Sequence, residues 1–323
     1  MKAAVASENG LEIRDVPRPQ AGPNQVLVAV RAAGLNRADL NAAKGAGVAS
    51  RDSWGKPIGL EWAGVVAEVG AGVSALRPGD RVMCSGSGGY AEYAVCDAAR
   101  AMPIPREAMS FESAAILPLA LLTMHDAIVT HGRLQRGEAV LIQGASSGVG
   151  LMGLQIARHM GAGVVIGSAT NEARRGRLKE FGADAVVDTR DGKWADAVLG
   201  ATAGQGVHLI VDMISGPVIE QSMKAARIRG RIVNVGRLGG THADFNFDLH
   251  ALKRLDYIGV TFRTRTPVEV AEIVRRMRAD LWDAVAAGKL ALPIDSGFPL
   301  DQAAAAHARM RANAHFGKIV LTM

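Results

Sequence analysis

Residues 140–162 read VLIQGASSGVGLMGLQIARHMGA. An apolar run of strand character stops at Gln143, glycines follow at positions 144, 148 and 150, and a helical pattern begins. Each part has a physical use. Gly144 permits a tight exit from the strand, and Gly148 and Gly150 let the backbone come close to a pyrophosphate. The helix N-terminus then offers N–H groups and partial positive charge to the phosphates. The competing reading is a glycine turn used only for helix–sheet packing. The strand–turn–helix context favours a dinucleotide.

Outward from this loop the pattern repeats. GVVIGSA reads as a strand and NEARRGRLKEFG as a helix; DAVVD, VHLIVDMI, GRIVNVG and DYIGVTF read as further strands with helical stretches between them. Strands alternating with helices imply a parallel sheet covered on both faces. Upstream the character differs. VLVAVRAAG, AGVVAEVG, DRVMCSG and YAEYAV are short strands separated by Gly and Pro turns. The first residues, MKAAVASENGLEIRDV, read as two strands around a turn at Asn9-Gly10 rather than as a signal peptide. The stretch SFESAAILPLALLTMHDAIVTHG has helical spacing, with Ser110 as N-cap and Glu112 in the first turn. After the alternating units come a helix near 267–287, a strand near 290–296, a helix near 300–311 and a closing strand, GKIVLTM. The expected organisation is a doubly wound parallel sheet over 121–264. It is inserted in a β-rich, barrel-like domain built from 1–120 and 265–323.

Composition narrows the function. Aromatic residues are only 4% of the 323, too few for stacking platforms on nucleic acid. The formal charge of +6 is spread along the chain, apart from Arg174, Arg175 and Arg177 and later Arg227, Arg229 and Arg231. No nucleic-acid partner is expected. Two cysteines, Cys84 and Cys96, make neither a disulfide framework nor a four-thiolate zinc site. The longest apolar run, AAILPLALLTM, is short for a bilayer and holds Pro118. A cytoplasmic protein without a membrane partner is expected.

The end of the strand after the glycine loop bears on which dinucleotide binds. An acid there would hold a ribose 2′-hydroxyl. Here the strand ends IGSATNEARR, with no acid at its tip and with Asn171, Arg174 and Arg175 beyond it. A guanidinium suits a 2′-phosphate, so NADPH is favoured. The alternative is that Asn171 caps the helix and the arginines are solvated; Glu172 then sits in the first helical turn.

Residues 59–66, GLEWAGVV, pose a separate question. Glu61 stands between large apolar residues, and a buried carboxylate is costly unless paired. Metal ligand, catalytic base and structural anchor are the three readings.

The whole chain resembles the medium-chain dehydrogenase/reductase superfamily, and within it the zinc-free quinone oxidoreductases of zeta-crystallin type. The resemblance rests on AAGLNRADL, GLEWAGVVAEVGAGV, GDRV, GGYAEYAV, the LLT of 121–123, GASSGVG, GRIVNVG, GVTFRTR and GKIVL. It implies a GroES-like first domain and a Rossmann domain. Zinc-dependent relatives carry a cysteine and a histidine ligand where this chain has Asn36 and Leu60, so no metal site is expected. Glu61 then reads as a structural carboxylate, paired with an arginine or capping backbone N–H groups.

The resemblance further implies hydride transfer from NADPH to a quinone without a metal, with Thr123 beside the nicotinamide and Asn36 and Asn41 at the substrate end. Many relatives have tyrosine where this chain has Asn41. Ser147, Gly148, Val149 and Gly150 would line the dinucleotide, as would Gly236, Arg237 and Leu238, and Val260, Thr261 and Phe262. Asn171, Arg174 and Thr189 would sit near the adenosine ribose, and Gly317 and Lys318 at the closing edge. DYIGVTF would be an edge strand that meets its twin in a homodimer. A reductase of activated C=C bonds, acting on enones or enoyl thioesters, is the alternative enzyme. A non-catalytic NADPH-binding or RNA-binding crystallin-like protein is the alternative of another class.

Overall fold

Runs rich in alanine and valine build several early strands of the computed structural model, which describes residues 1–8, 10–43 and 54–323. β1 (Lys2–Ser7) and β2 (Gly10–Asp15) pair antiparallel from Lys2–Asp15 to Ser7–Gly10. Asn9, one half of the expected turn, lies outside the described residues. β3 (Gln25–Gly34) is the hub of the next sheet, pairing with β4 (Glu61–Val69) and with β6 (Tyr93–Asp97), while β4 also pairs with β5 (Arg81–Ser85) and β5 with β7 (Ala101–Pro103). Trp62 and Cys84 are fully buried in this sheet's core, and Cys96 is nearly so. Both cysteines are free thiols.

Ser110 caps the helix Phe111–Ala115, accepting from Ser113 N at 3.2 Å, and Glu112 lies in its first turn. After a turn at Ile116–Leu117, helical structure runs from Pro118 to His131, and Phe111–His131 taken together is long and apolar enough to cross a membrane. That corrects the expectation drawn from AAILPLALLTM alone, because polar residues at both ends join the helix. Of its most apolar window 72% is buried inside the protein, so packing accounts for the apolarity.

The alternating region forms a six-stranded sheet. Its strands are β8 (Ala139–Ile142), β9 (Val164–Ser168), β10 (Ala185–Val187), β11 (Val207–Asp212), β12 (Ala226–Asn234) and β13 (Asp256–Gly259). All neighbours are parallel, in the order β10-β9-β8-β11-β12-β13. This is the doubly wound arrangement whose strand order reverses between the first and fourth strands, the place where such sheets bind dinucleotides. β13 is an edge, and Tyr257 on it is 43% exposed. The long pattern NEARRGRLKEFG splits into an α-helical turn, Glu172–Gly176, and a 3₁₀ segment, Arg177–Phe181.

The last segment holds the helix Pro267–Ala286, capped by Thr266 and Glu269 in a reciprocal box, and then β14 (Ile294–Pro299) and β15 (Lys318–Thr322). β15 pairs with β3, so the chain's last strand completes the sheet begun by its first hundred residues. The chain divides into two compact units, Met1–Leu119 with Arg265–Met323, and Ala120–Thr264.

Candidate functional site

In the parallel-sheet unit the glycine loop sits at the C-terminal end of β8. Gly144 adopts φ 67°, a left-handed turn that its lack of Cβ permits. Ser147 caps the helix Gly148–His159: its Oγ accepts from Gly150 N at 3.1 Å and donates to Gly144 O at 3.0 Å. A Cβ on Gly150 would lie 2.6 Å from Ala145 Cα and from Gly144 O. Gly150 therefore lets the helix pack against its own entry loop. The amides of Gly148 and Val149, at the first turn, are the ones left without an intrahelical acceptor, as at any helix start.

At the tip of β9, Asn171 Oδ1 caps the next helix by accepting from Arg174 N at 3.0 Å. The Arg175 guanidinium donates to Ala169 O and to Asp188 Oδ2, both at 2.9 Å. Asp188, just beyond β10, also takes three bonds from Arg190, one of them from its backbone N–H. The hydrogen bonds from Arg190 hold the Asp188 carboxyl well below the usual carboxylate range, and Arg175 adds to the effect. Sequence reading singled out Arg174 and missed Asp188, which follows a different strand and comes beside Arg175 only through β10–β9 pairing. Thr189 follows Asp188 and is half-buried, as is Arg174.

The ends of β11 and β12 meet through Gly236, where a Cβ would lie 2.6 Å from Met213 O. Arg237 and Leu238 beyond it are exposed, Leu238 at 54%. Val260 N bonds to Asn234 O at 3.0 Å, and Thr261 and Phe262 are half-buried. Asp212 Oδ1 accepts from the backbone of Ile214 and Ser215, and burial pushes its pKa up. Ser215 is held at φ 58°, ψ −163°, a region that ordinarily belongs to glycine. Its Oγ bonds Gly236 O at 2.7 Å and the Asn234 amide. Arg237, His242 and Tyr257 line a cavity of about 280 Å³ here. Thr123, on the helix Pro118–His125 of the same unit, is half-buried.

The other unit answers the question of Glu61. It is fully buried and paired with Lys318, whose Nζ lies 2.6 Å from Glu61 Oε1. The partner is lysine, where an arginine was expected. Glu61 Oε2 accepts from Leu119 N at 2.9 Å, so the expected bond to a backbone N–H is present. Lys318 Nζ donates also to Leu35 O at 2.7 Å and Asn36 Oδ1 at 2.8 Å. Asn36 Nδ2 donates to Glu61 Oε1 at 3.0 Å and, more weakly, to Gly34 O at 3.4 Å. Gly34 is required: a Cβ there would meet Glu61 Oε1 at 2.7 Å. Lys318 is thus committed inside the protein, and Gly317 (φ 87°) is pressed on the Pro293 backbone, 2.3 Å from where a Cβ would stand.

The cluster continues. Asn36 N donates to Asp39 Oδ2 at 2.8 Å, and Tyr90 OH to the same oxygen at 2.7 Å. Burial raises the Asp39 pKa to about 7, against the bonds from Tyr90 and Asn36. Asn41 lies on the same short helix, Arg37–Ala42, and is exposed. Among the described residues no group of three or more His, Cys, Asp or Glu side chains is placed to hold a metal ion.

Residues 22–106 match the family described as alcohol dehydrogenase GroES-like domain, and 148–279 the family described as zinc-binding dehydrogenase. The quinone oxidoreductase of Rattus norvegicus is 31% identical over 311 residues, 95% of this chain and 91% of that protein. The chain belongs to the medium-chain dehydrogenase/reductase superfamily, in its quinone oxidoreductase-like branch. A mycocerosic acid synthase-like polyketide synthase of Mycolicibacterium smegmatis is 32% identical over 96% of this chain, which spans 15% of that protein's length. Among solved structures, mycobacterial Rv1454c complexed with NADPH superposes with a TM-score of 0.87 at 27% identity, covering all of both chains. The superfamily's GroES-like and Rossmann parts correspond to the mixed sheet around β3 and the six-stranded parallel sheet. The relatives support an oxidoreductase of this superfamily.

Proposed function

We propose that the protein is an NADPH-dependent quinone reductase that works without a metal. The observation that carries the metal-free reading is the partnership of Asn36. Where zinc-dependent relatives place a thiolate ligand, this chain has a carboxamide whose oxygen already accepts from the Lys318 ammonium. A divalent ion there would meet a fixed positive charge, and Leu60 offers no donor atom.

The residues present fit a dinucleotide. The Gly148 and Val149 amides would receive the pyrophosphate, and Gly236 with Val260–Phe262 would border the nicotinamide end. Arg174, Arg175 and Thr189 would surround the adenosine ribose. When bound, NADPH supplies the hydride. Thr123 would orient the nicotinamide side, and Asn41 would hydrogen-bond the acceptor. Neutral hydrogen bonds of this kind polarise a carbonyl far less than a metal ion does. A quinone needs less help, because its reduction makes the ring aromatic. The protein's share of the work is then positioning and water exclusion.

Steady-state assays with NADPH and 1,4-benzoquinone, a naphthoquinone, an enone and a simple ketone test this reading. Quinones should be turned over fastest; a ketone or secondary alcohol as the best substrate would overturn it, and an enone would support the C=C reductase instead. Arg174→Ala should weaken NADPH binding about tenfold or more, the loss of one charge-assisted contact to phosphate, and leave NADH nearly unchanged. Equal losses for both cofactors, read by fluorescence titration, would remove Arg174 from the site.

We place the protein in the cytoplasm as a homodimer joined through β13. That edge would otherwise invite uncontrolled pairing, and Leu238, Phe247, Leu252 and Tyr257 of the same unit are exposed apolar side chains. Ile258→Glu should yield monomers by light scattering. A wild-type monomer at micromolar concentration would refute the assembly.

A further inference from the structure

Asn36 has few free valences. Its carboxamide oxygen accepts from Lys318, and its two Nδ2 hydrogens point to Glu61 Oε1 and Gly34 O. Its backbone N–H is held by Asp39, the third residue of the helix Arg37–Ala42. A side chain so committed is poorly suited to donate to a substrate. It is well suited to transmit rigidity. On one side stands a buried ion pair with the Lys318 ammonium bonded to three acceptors; on the other stands a six-residue helix, too short to be stable by itself. That helix carries Asn41.

We propose that Lys318 is a positioning residue: with Glu61 it locks the Asn36 carboxamide, and through Asn36 it holds the Arg37–Ala42 helix so that Asn41 meets the acceptor in one orientation. The assignment rests on the quinone-reductase reading for its kinetic consequence, but the lock itself does not. A charged pair serves this purpose better than an apolar contact, because its geometry is set by directional bonds, and buried polar groups are best attested as devices that fix one register among several. The arrangement joins three remote parts of the sequence: the end of β3, the start of β4 and the start of β15.

The test removes both charges together, so that neither is left buried alone. Glu61→Leu/Lys318→Met should fold and bind NADPH within about twofold of wild type. Its KM for 1,4-benzoquinone should rise about tenfold, and amide hydrogen exchange over residues 35–43 should quicken. A folded double variant with wild-type KM and wild-type protection over 35–43 would reduce the pair to a structural one and overturn the proposal. A second measurement needs no variant. In the NADP⁺-loaded wild type, the Asn36 side-chain NH₂ signals should be slow to exchange and should not move when a naphthoquinone is added. A large shift would make Asn36 itself the substrate contact and would equally overturn it. If the wild type reduces no quinone, the proposed function fails while the exchange and NH₂ measurements still decide the lock.

Discussion

Lys318→Met should destabilise the protein by about 3–5 kcal/mol, the range for removing one member of a buried ion pair. The side chains of Lys318 and Glu61 are 5% and 0% exposed, so Glu61 cannot turn to water when its partner is lost. Leu119 N and Asn36 Nδ2 remain as donors to Glu61, but both are neutral groups. Leu35 O and Asn36 Oδ1 lose their donor at the same time. Glu61→Leu/Lys318→Met should regain most of the loss, since replacing a whole buried pair by apolar residues is often neutral or stabilising. Urea denaturation of the two variants beside wild type measures both quantities. A single variant within about 1 kcal/mol of wild type would mean that the pair is not closed off from solvent.

Asp39→Asn should change how stability depends on pH. Asp39 is buried, and its carboxyl is raised to about 7 from an ordinary 3.8. A carboxyl raised on folding binds its proton more tightly in the folded chain. Its contribution is fully present below about pH 4 and is lost as the pH rises through about 7. Burial is the main cause, with Glu61 adding to it; the bonds from Tyr90 and Asn36 and the charge of Lys318 oppose it. The full difference is on the order of 4 kcal/mol. An asparagine there stays neutral and can still accept from Tyr90 and Asn36. Asp39→Asn should therefore gain on wild type steadily between about pH 4 and 8 in urea midpoints taken at each pH. Parallel curves for the two proteins would show that Asp39 keeps an ordinary carboxylate pKa.

The two units differ in how much of their architecture could be read from pattern. The Rossmann-type sheet is local in sequence: each strand before β13 is followed by its own helix, and the periods of 2 and 3.6 announce both. The glycine loop and the edge position of β13 follow from stretches of a few dozen residues, whereas the cap at Ser147 showed only in the folded chain. Segment ends were less legible. NEARRGRLKEFG breaks into two helical types, and the strand expected near 290–296 is Ile294–Pro299, because bounds are set by tertiary pairing with β15.

Residue types at single positions determined that GLEWAGVV holds a carboxylate in need of partners, that Leu60 cannot bind a metal, and that no acid ends the strand before Asn171. Chemistry belongs to the side chain and travels with the sequence. Which groups meet was decided only by the folded chain. Glu61 and Lys318 are 257 residues apart and touch because β15 returns to β3 and β3 pairs with β4. Arg175 and Asp188 meet because β10 lies beside β9. Asp39 departs from an ordinary aspartate because the fold takes water away from it, and the bond from Tyr90 offsets only part of that. A sequence pattern specifies which face of an element is apolar; pairing over hundreds of residues follows from the closure of a sheet, which no local window contains.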